Sequence, residues 1–263
     1  VPEPETTIIV NCAGRTRSIL GAETLRAFGV PNPVYALQNG TQGWFLAGLK
    51  REEGATRSYP DAPTSEEKLS ALRAQAKARA EKTGLKYVEP AEAAGWLAAT
   101  DRSTFLIDVR SEEEYAADGL PNTRHGLGGQ LVQAMDLWVG VRGARVVLMD
   151  NEMVRAPMMA NWLHQIGNDV YILNGGVDAM RGVSIPEIPS YNADKVAAVT
   201  PAEIEDDMQL VDIRTPRAYR DGHIDGAVWS IRPRFEQLGL SADKPVVLIA
   251  PDDGTAALAA QRF

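Results

Sequence analysis

Residues 6 to 22 read Thr6-Thr7-Ile8-Ile9-Val10-Asn11-Cys12-Ala13-Gly14-Arg15-Thr16-Arg17-Ser18-Ile19-Leu20-Gly21-Ala22. The run before the cysteine is apolar and β-branched, the composition of a strand buried on both faces, and from Ser18 onward the pattern is helical. Cys12, the single cysteine of the chain, falls in the tight loop between them. A loop that feeds a helix start turns several backbone N–H groups toward one spot, and the helix dipole adds partial positive charge there. Arg15 and Arg17 add two full charges. A thiol so placed loses its proton more easily than a free cysteine, whose pKa is about 8.5, and the thiolate is the nucleophilic form. The competing reading is a small buried hydrophobe at the end of a core strand. A glycine and two arginines within five residues, at a strand-to-helix switch of the kind where α/β proteins bind ligands, favour the reactive cysteine.

Composition sets the outer bounds. With 263 residues, 44% hydrophobic and 24% charged, the chain reads as a soluble globular protein long enough for two or more domains. A net charge of -8 leaves no basic surplus for broad nucleic-acid binding, so any anion site is local. One cysteine excludes a disulfide framework and a multi-cysteine zinc site, and His125, His164 and His223 lack ligand spacing. Neither a metal nor a cofactor is expected. No stretch reaches the roughly 18 apolar residues of a membrane span and no signal peptide is visible, so no membrane partner and a cytoplasmic location are expected. The chain begins at Val1 rather than Met and reads as a fragment.

Outward from the loop, the helix from Ser18 to Phe28 stops at Gly29 with Pro31 and Pro33 beyond. Val34-Tyr35-Ala36-Leu37 is a second short strand, and Asn39-Gly40-Thr41-Gln42-Gly43-Trp44 a glycine turn into a short helical piece. Two strands are too few to stand alone. Gly54 to Pro63 reads as a loop. Residues 64–84 are rich in Ala, Lys, Arg and Glu, with Thr64 and Glu67 spaced as a capping box and Gly84 at the end. Leu69, Leu72 and Ala76 give this charged connector helix one apolar stripe to pack on a neighbouring domain.

From residue 85 the sequence repeats. Val88-Glu89-Pro90-Ala91-Glu92 recurs as Val199-Thr200-Pro201-Ala202-Glu203, and the strand end Leu106-Ile107-Asp108-Val109-Arg110 as Leu210-Val211-Asp212-Ile213-Arg214. Tyr115 and Tyr219 follow at equal distance, and Gly222-His223-Ile224-Asp225-Gly226-Ala227 matches the degraded Gly119-Leu120-Pro121-Asn122-Thr123. Two further strands, Val146-Val147-Leu148-Met149 and Val246-Val247-Leu248-Ile249, each lead into a loop and helix. Those strands also match Ile8-Ile9-Val10. Cys12 to Ser18 then stands opposite Asp150 to Ala156 and opposite Ala250 to Ala256, and only the first copy holds a nucleophile. Val34 to Leu37 with its glycine turn likewise matches Val170-Tyr171-Ile172-Leu173 and Asn174-Gly175-Gly176.

These landmarks, in this order, resemble the rhodanese-like sulfurtransferases: Asp-Val-Arg and Asp-Ile-Arg at strand ends, the tyrosine, Gly-His-Ile-x-Gly-Ala, the cysteine loop, and the glycine turn before Trp44. The resemblance covers nearly the whole chain except the connector. It implies an α/β fold of tandem rhodanese-like domains, each a mostly parallel central sheet flanked by helices. The alternating strand-helix pattern points to the same class. The expected organisation is the C-terminal part of one domain with the active loop in 1–63, the connector in 64–84, a complete inactive domain in 85–190, and the N-terminal part of a third, inactive domain in 191–263.

The resemblance also implies a chemistry: Cys12 takes sulfane sulfur from a small anionic donor such as thiosulfate, holds it as a persulfide, and passes it to a thiophile such as cyanide or a thiol. Ala13, Gly14, Arg15, Thr16, Arg17 and Ser18 are the expected substrate-binding loop. Thiolate attack on an anion needs local positive charge, which the arginines and loop amides can supply. A cysteine phosphatase or arsenate reductase is the nearest chemical alternative. Those loops place arginine six positions after cysteine, where this chain has Ser18, whereas Arg17 stands at five. The more familiar rhodanese spelling has its glycine one place later than Gly14, which leaves open whether Arg15 points inward. A non-catalytic binding or regulatory module is the alternative from another class, since two repeats lack the cysteine and Asp150, Asp252 and Asp253 in their loops would repel an anion. Asp108, Arg110, Asp212 and Arg214 read as structural pairs. A homo-oligomer, or missing rhodanese segments, would complete the partial domains, with residues 198 to 249 able to add strands to the sheet of Val10.

Overall fold

The computed structural model describes residues 3–56, 64–187 and 196–262. The apolar runs become short parallel strands and the segments between them helices, so the fold is α/β, built of parallel sheets flanked by helices. The described residues fall into two compact units, one within 1–188 and the other within 189–263. The expected loop over Gly54 to Pro63 lies largely outside the described residues, as does the expected domain limit at 190.

The first unit opens with β1 (Ile8–Val10), α1 (Thr16–Ala27), β2 (Val34–Ala36) and α2 (Gly40–Leu46). β1 and β2 pair in parallel, with Val10 opposite Ala36. α1 packs on one face: Ala22 is buried, and a Cβ on Gly21 would meet Val10 Cγ1 at 3.0 Å. The other face carries Ile9 at 60% exposure and Tyr35 at 57%, so these strands are covered on one side, not on both as their composition suggests. This sheet has two strands among the described residues.

α3 (Glu66–Lys82) follows. Its cap is Ser65, whose hydroxyl accepts from Lys68 N–H at 3.3 Å, one residue later than the expected Thr64. Ala76 and Ala80 are its buried side chains, and Ala80 enters the core of the complete repeat beside Ile107, Leu148 and Leu163. That repeat runs through β3 (Lys86–Val88), α4 (Pro90–Ala98), β4 (Thr104–Asp108), α5 (Glu112–Asp118), β5 (Arg124–His125), α6 (Gly128–Gln133), β6 (Arg145–Met149), α7 (Arg155–Gln165), β7 (Asp169–Leu173) and α8 (Gly176–Ala179). Its five parallel strands take the order β3-β7-β6-β4-β5. With β4 and β7 on either side of it, β6 is buried over Val146, Val147, Leu148 and Met149, as expected of a strand covered on both faces. α3 and α1 both pack on this repeat, α3 against α7 and α1 against α6.

The second unit holds β8 (Gln209–Asp212), α9 (Pro216–Asp221), β9 (Val228–Trp229), β10 (Val246–Ile249) and α10 (Asp253–Ala260), with parallel strand order β10-β8-β9. Its pairings repeat those of β6-β4-β5. The structural reading of the acid-arginine pairs holds in both units. Arg110 Nε and Nη2 grip the buried Asp108 carboxylate at 2.9 to 3.1 Å, and Arg214 grips Asp212 at 2.6 to 3.1 Å. Tyr115 and Tyr219 then donate to the backbone carbonyls of Thr123 and Ala227. Each set fixes a strand end to the loop that follows it. Among the described residues no helix is long and apolar enough to cross a membrane.

Candidate active site

β1 delivers Cys12 to the carboxyl end of its sheet, and α1 leaves from the same loop. The helix begins at Thr16, two residues before the position suggested by sequence, with Arg15 at its cap and no side-chain cap bond. Its first-turn N–H groups are therefore free to serve what lies in the loop. The loop is held from behind by the glycine turn. Thr41 N–H donates to the Cys12 carbonyl at 2.9 Å, Gln42 N–H to the Ala13 carbonyl at 3.0 Å, and Asn11 Nδ2 to Thr41 Oγ1 at 3.0 Å. Asn39 takes a left-handed φ of 55° and Gly40 one of 59°, which brings the turn against the loop. Gly40 and Thr41 were visible in the sequence only as a turn. The signal that could have marked them was the match of this turn to Asn174-Gly175-Gly176.

Cys12 is partly buried, and its Sγ lies 3.4 Å from the hydroxyl of the buried Ser18. As a thiol it donates to Ser18 Oγ, which in turn donates to the Arg15 carbonyl at 2.9 Å. Once the sulfur is ionised, the rotatable hydroxyl can donate to it instead. Burial pushes the thiol up. The Ser18 hydroxyl, the N–H groups of Ser18 and Gly14, and the charge of Arg17 more than offset that and hold it below an ordinary cysteine. The reactive reading of Cys12 thus rests on three members of the expected loop, Gly14, Arg17 and Ser18.

The other expected site residues sit differently. Ala13 and Thr16 are exposed, Ala13 serving through its carbonyl and Thr16 as the first residue of α1. Arg15 is exposed and lines a surface pocket with Ile19, Leu37 and Asn39 beside the loop. The arginine whose charge reaches Cys12 is Arg17.

The second copy of the loop is built around a carboxylate where the first has its cysteine. Asp150, at the position of Cys12, is fully buried and does not stand in the loop as a repelling charge. Its carboxylate turns inward and accepts the N–H groups of Val154 at 3.3 Å, Arg155 at 3.2 Å and Ala156 at 3.1 Å. Ala156 N–H is the counterpart of the Ser18 N–H that serves the Cys12 sulfur, so in this copy an internal carboxylate occupies that donor. Burial raises the Asp150 carboxyl above the usual range, with those three N–H groups working against the shift. Arg155, the counterpart of Arg17, is further neutralised by a two-pronged pair with Glu114 at 2.5 and 2.7 Å. In the third copy the carboxylate of Asp252 caps α10 through Thr255 N–H at 2.8 Å.

The profile of the rhodanese-like domain matches residues 89–182. Among solved structures, a thiosulfate sulfurtransferase from Pseudomonas aeruginosa is 37% identical, with a TM-score of 0.71 over 99% of this chain and 55% of its own. The chain thus spans about half the length of that relative. A protein of unknown function from Rhodopseudomonas palustris is 15% identical over 50% of this chain and 100% of its own, TM-score 0.36. A 3-mercaptopyruvate sulfotransferase from Escherichia coli is 19% identical over 66% of this chain and 73% of its own, TM-score 0.28. No curated protein sequence matches the chain.

Proposed function

We propose that this chain, whose residues 89–182 match the rhodanese-like domain, transfers sulfane sulfur through Cys12. The observation that carries this reading is a single acidified cysteine, 3.4 Å from the Ser18 hydroxyl, in a loop whose two other copies lack a nucleophile. The similarity to a thiosulfate sulfurtransferase supports thiosulfate as the donor.

The Cys12 thiolate attacks the outer sulfur of thiosulfate. A sulfur–sulfur bond forms to Cys12 while the one within thiosulfate breaks, and its electron pair leaves with sulfite. The product is a persulfide anion, held by the same N–H groups and the Arg17 charge. A thiophile such as cyanide then attacks the terminal sulfur, the cysteine takes back the electron pair as thiolate, and thiocyanate departs. No net oxidant is needed, and the two half-reactions form a ping-pong cycle. Arg17 and the loop amides lower the repulsion between thiolate and dianion in the first step. One such donor is worth about 2–4 kcal/mol if it acts as an oxyanion donor does.

Thiosulfate:cyanide turnover by the wild type and Cys12→Ser tests the proposal. The expected result is Cys12-dependent thiocyanate, together with a one-sulfur adduct on the intact wild-type mass after thiosulfate alone. Absence of both would overturn it.

A further inference from the structure

We infer that the complete, cysteine-less repeat seats the arginine of the active loop: the stem of Arg17 packs at Gly129 in α6, and the absence of a branched side chain at 129 leaves the space that holds Arg17 beside Cys12. The inference rests on reading the Cys12 loop as the sulfur-transfer site, and it adds a positioning residue from a repeat that holds no nucleophile.

The geometry is direct. A Cβ on Gly129 would meet Arg17 Cγ at 3.5 Å, Cδ at 3.8 Å and Cβ at 3.9 Å, so the arginine stem already occupies ordinary contact distance from that site. A methyl group could be fitted there, whereas a branched side chain would need the space the stem fills. One helical turn along α1, Leu20 packs on the same repeat, in the cluster that holds Leu131, Val132 and Met159. Arg17 and Leu20 are spaced i, i+3 and so lie on one face of α1, the face that docks on α6. The loop that carries Cys12 is therefore anchored to the neighbouring repeat through the helix that leaves it.

The second copy shows why the anchor matters. There Arg155 is fixed by the two-pronged pair with Glu114, which also neutralises it. Arg17 has no ion-pair partner among the described residues, and its Nε is buried without a hydrogen-bond partner. Packing on Gly129 holds the first arginine in place without a carboxylate, so its charge stays available to an anionic donor. A repeat without a cysteine in its own loop thereby forms part of the working site.

The experiment exploits the single cysteine, which makes alkylation report on Cys12 alone. Iodoacetate is anionic and iodoacetamide neutral, so the ratio of their rates at pH 7 reads local positive charge separately from thiol exposure. Gly129→Leu should lower that ratio by about threefold, the scale of one unit charge acting through a watery dielectric over several ångströms. Arg17→Ala should lower it equally, and the double variant no further, because both changes remove the same charge. Gly129→Val serves where Gly129→Leu does not fold. An unchanged ratio in the position-129 variant, an unchanged ratio in Arg17→Ala, or additive losses in the double variant would each overturn the inference. Wild-type thiocyanate formation is read in parallel. Its absence would remove the sulfur-transfer reading while leaving the alkylation ratio to judge the seat of Arg17.

Discussion

A Cβ on Gly40 would stand 2.2 Å from the carbonyl oxygen of Cys12, while Gly40 itself holds a φ of +59°. Both conditions exclude a side chain. The complete repeat builds the same approach: Gly176, at φ +64°, would put a Cβ 2.1 Å from the carbonyl oxygen of Asp150. The two loops thus share not only their alignment but the glycine that braces each from behind. A cysteine and an aspartate occupy one structural position.

Gly40→Ala should therefore displace the Cys12 loop. Strain at a left-handed position costs about 1–3 kcal/mol, and loss of alignment at the nucleophile should cut thiocyanate formation by at least about tenfold. Gly176→Ala should cost similar stability while leaving Cys12 alkylation near that of the wild type. Urea melts and iodoacetamide kinetics on the two variants check the contrast, and equal loss of Cys12 reactivity in both would sink it.

Ser18→Ala removes the hydroxyl that can donate to the Cys12 thiolate. Because that bond helps to hold the thiol below an ordinary cysteine, its removal should move the midpoint of the pH–alkylation curve upward. The sign follows from which form reacts: a lowered value keeps thiolate present at lower pH, so raising it leaves less at pH 7. With a hydrogen bond worth about 0.5–1.5 kcal/mol, the rate at pH 7 should fall about two- to tenfold and recover in alkaline buffer. A curve that coincides with the wild type would refute the role given to Ser18.

The strands, the three-fold recurrence of the loop and the unique Cys12 were legible because each is a local signal: an apolar run, a repeated spelling, a residue count. What was not legible depends on neighbours distant in sequence. Ile9 and Tyr35 look like core residues, yet they are exposed because β1 and β2 lie in a two-stranded sheet with α1 on one face. Asp150 looked like a repelling charge, since nothing in its spelling says that the carboxylate turns inward onto three N–H groups. Gly129 carries no local mark at all. Its meaning arises only where α6 meets α1, across more than a hundred residues of chain.

Asp150→Ala should destabilise the complete repeat. The N–H groups of Val154, Arg155 and Ala156 would lose their acceptor in a buried place, at a cost of about 1–3 kcal/mol. Relief of the buried carboxylate's own desolvation works the other way, which keeps the expected loss within that range. Urea denaturation should report it, with Cys12 alkylation unchanged. Undiminished stability would mean that the carboxylate is not what closes this loop.

Glu114→Gln should weaken the same repeat in a way that depends on pH. The hydrogen bonds from Arg155 are the main reason that the Glu114 carboxyl falls from 4.5 to about 2. A lowered folded value means that ionised Glu114 contributes stability above pH 4.5, and that the contribution is lost as pH falls from there toward about 2. The pair is partly open to solvent, with side chains 40% and 33% exposed, so screening reduces its worth to about 1 kcal/mol at neutral pH. The glutamine variant should thus melt below the wild type at pH 7. The gap should narrow once the pH drops under 4.5, where wild-type Glu114 begins to lose the advantage of its charge. A gap that stays constant from pH 7 to pH 3 would show that Arg155 is not what holds Glu114 ionised.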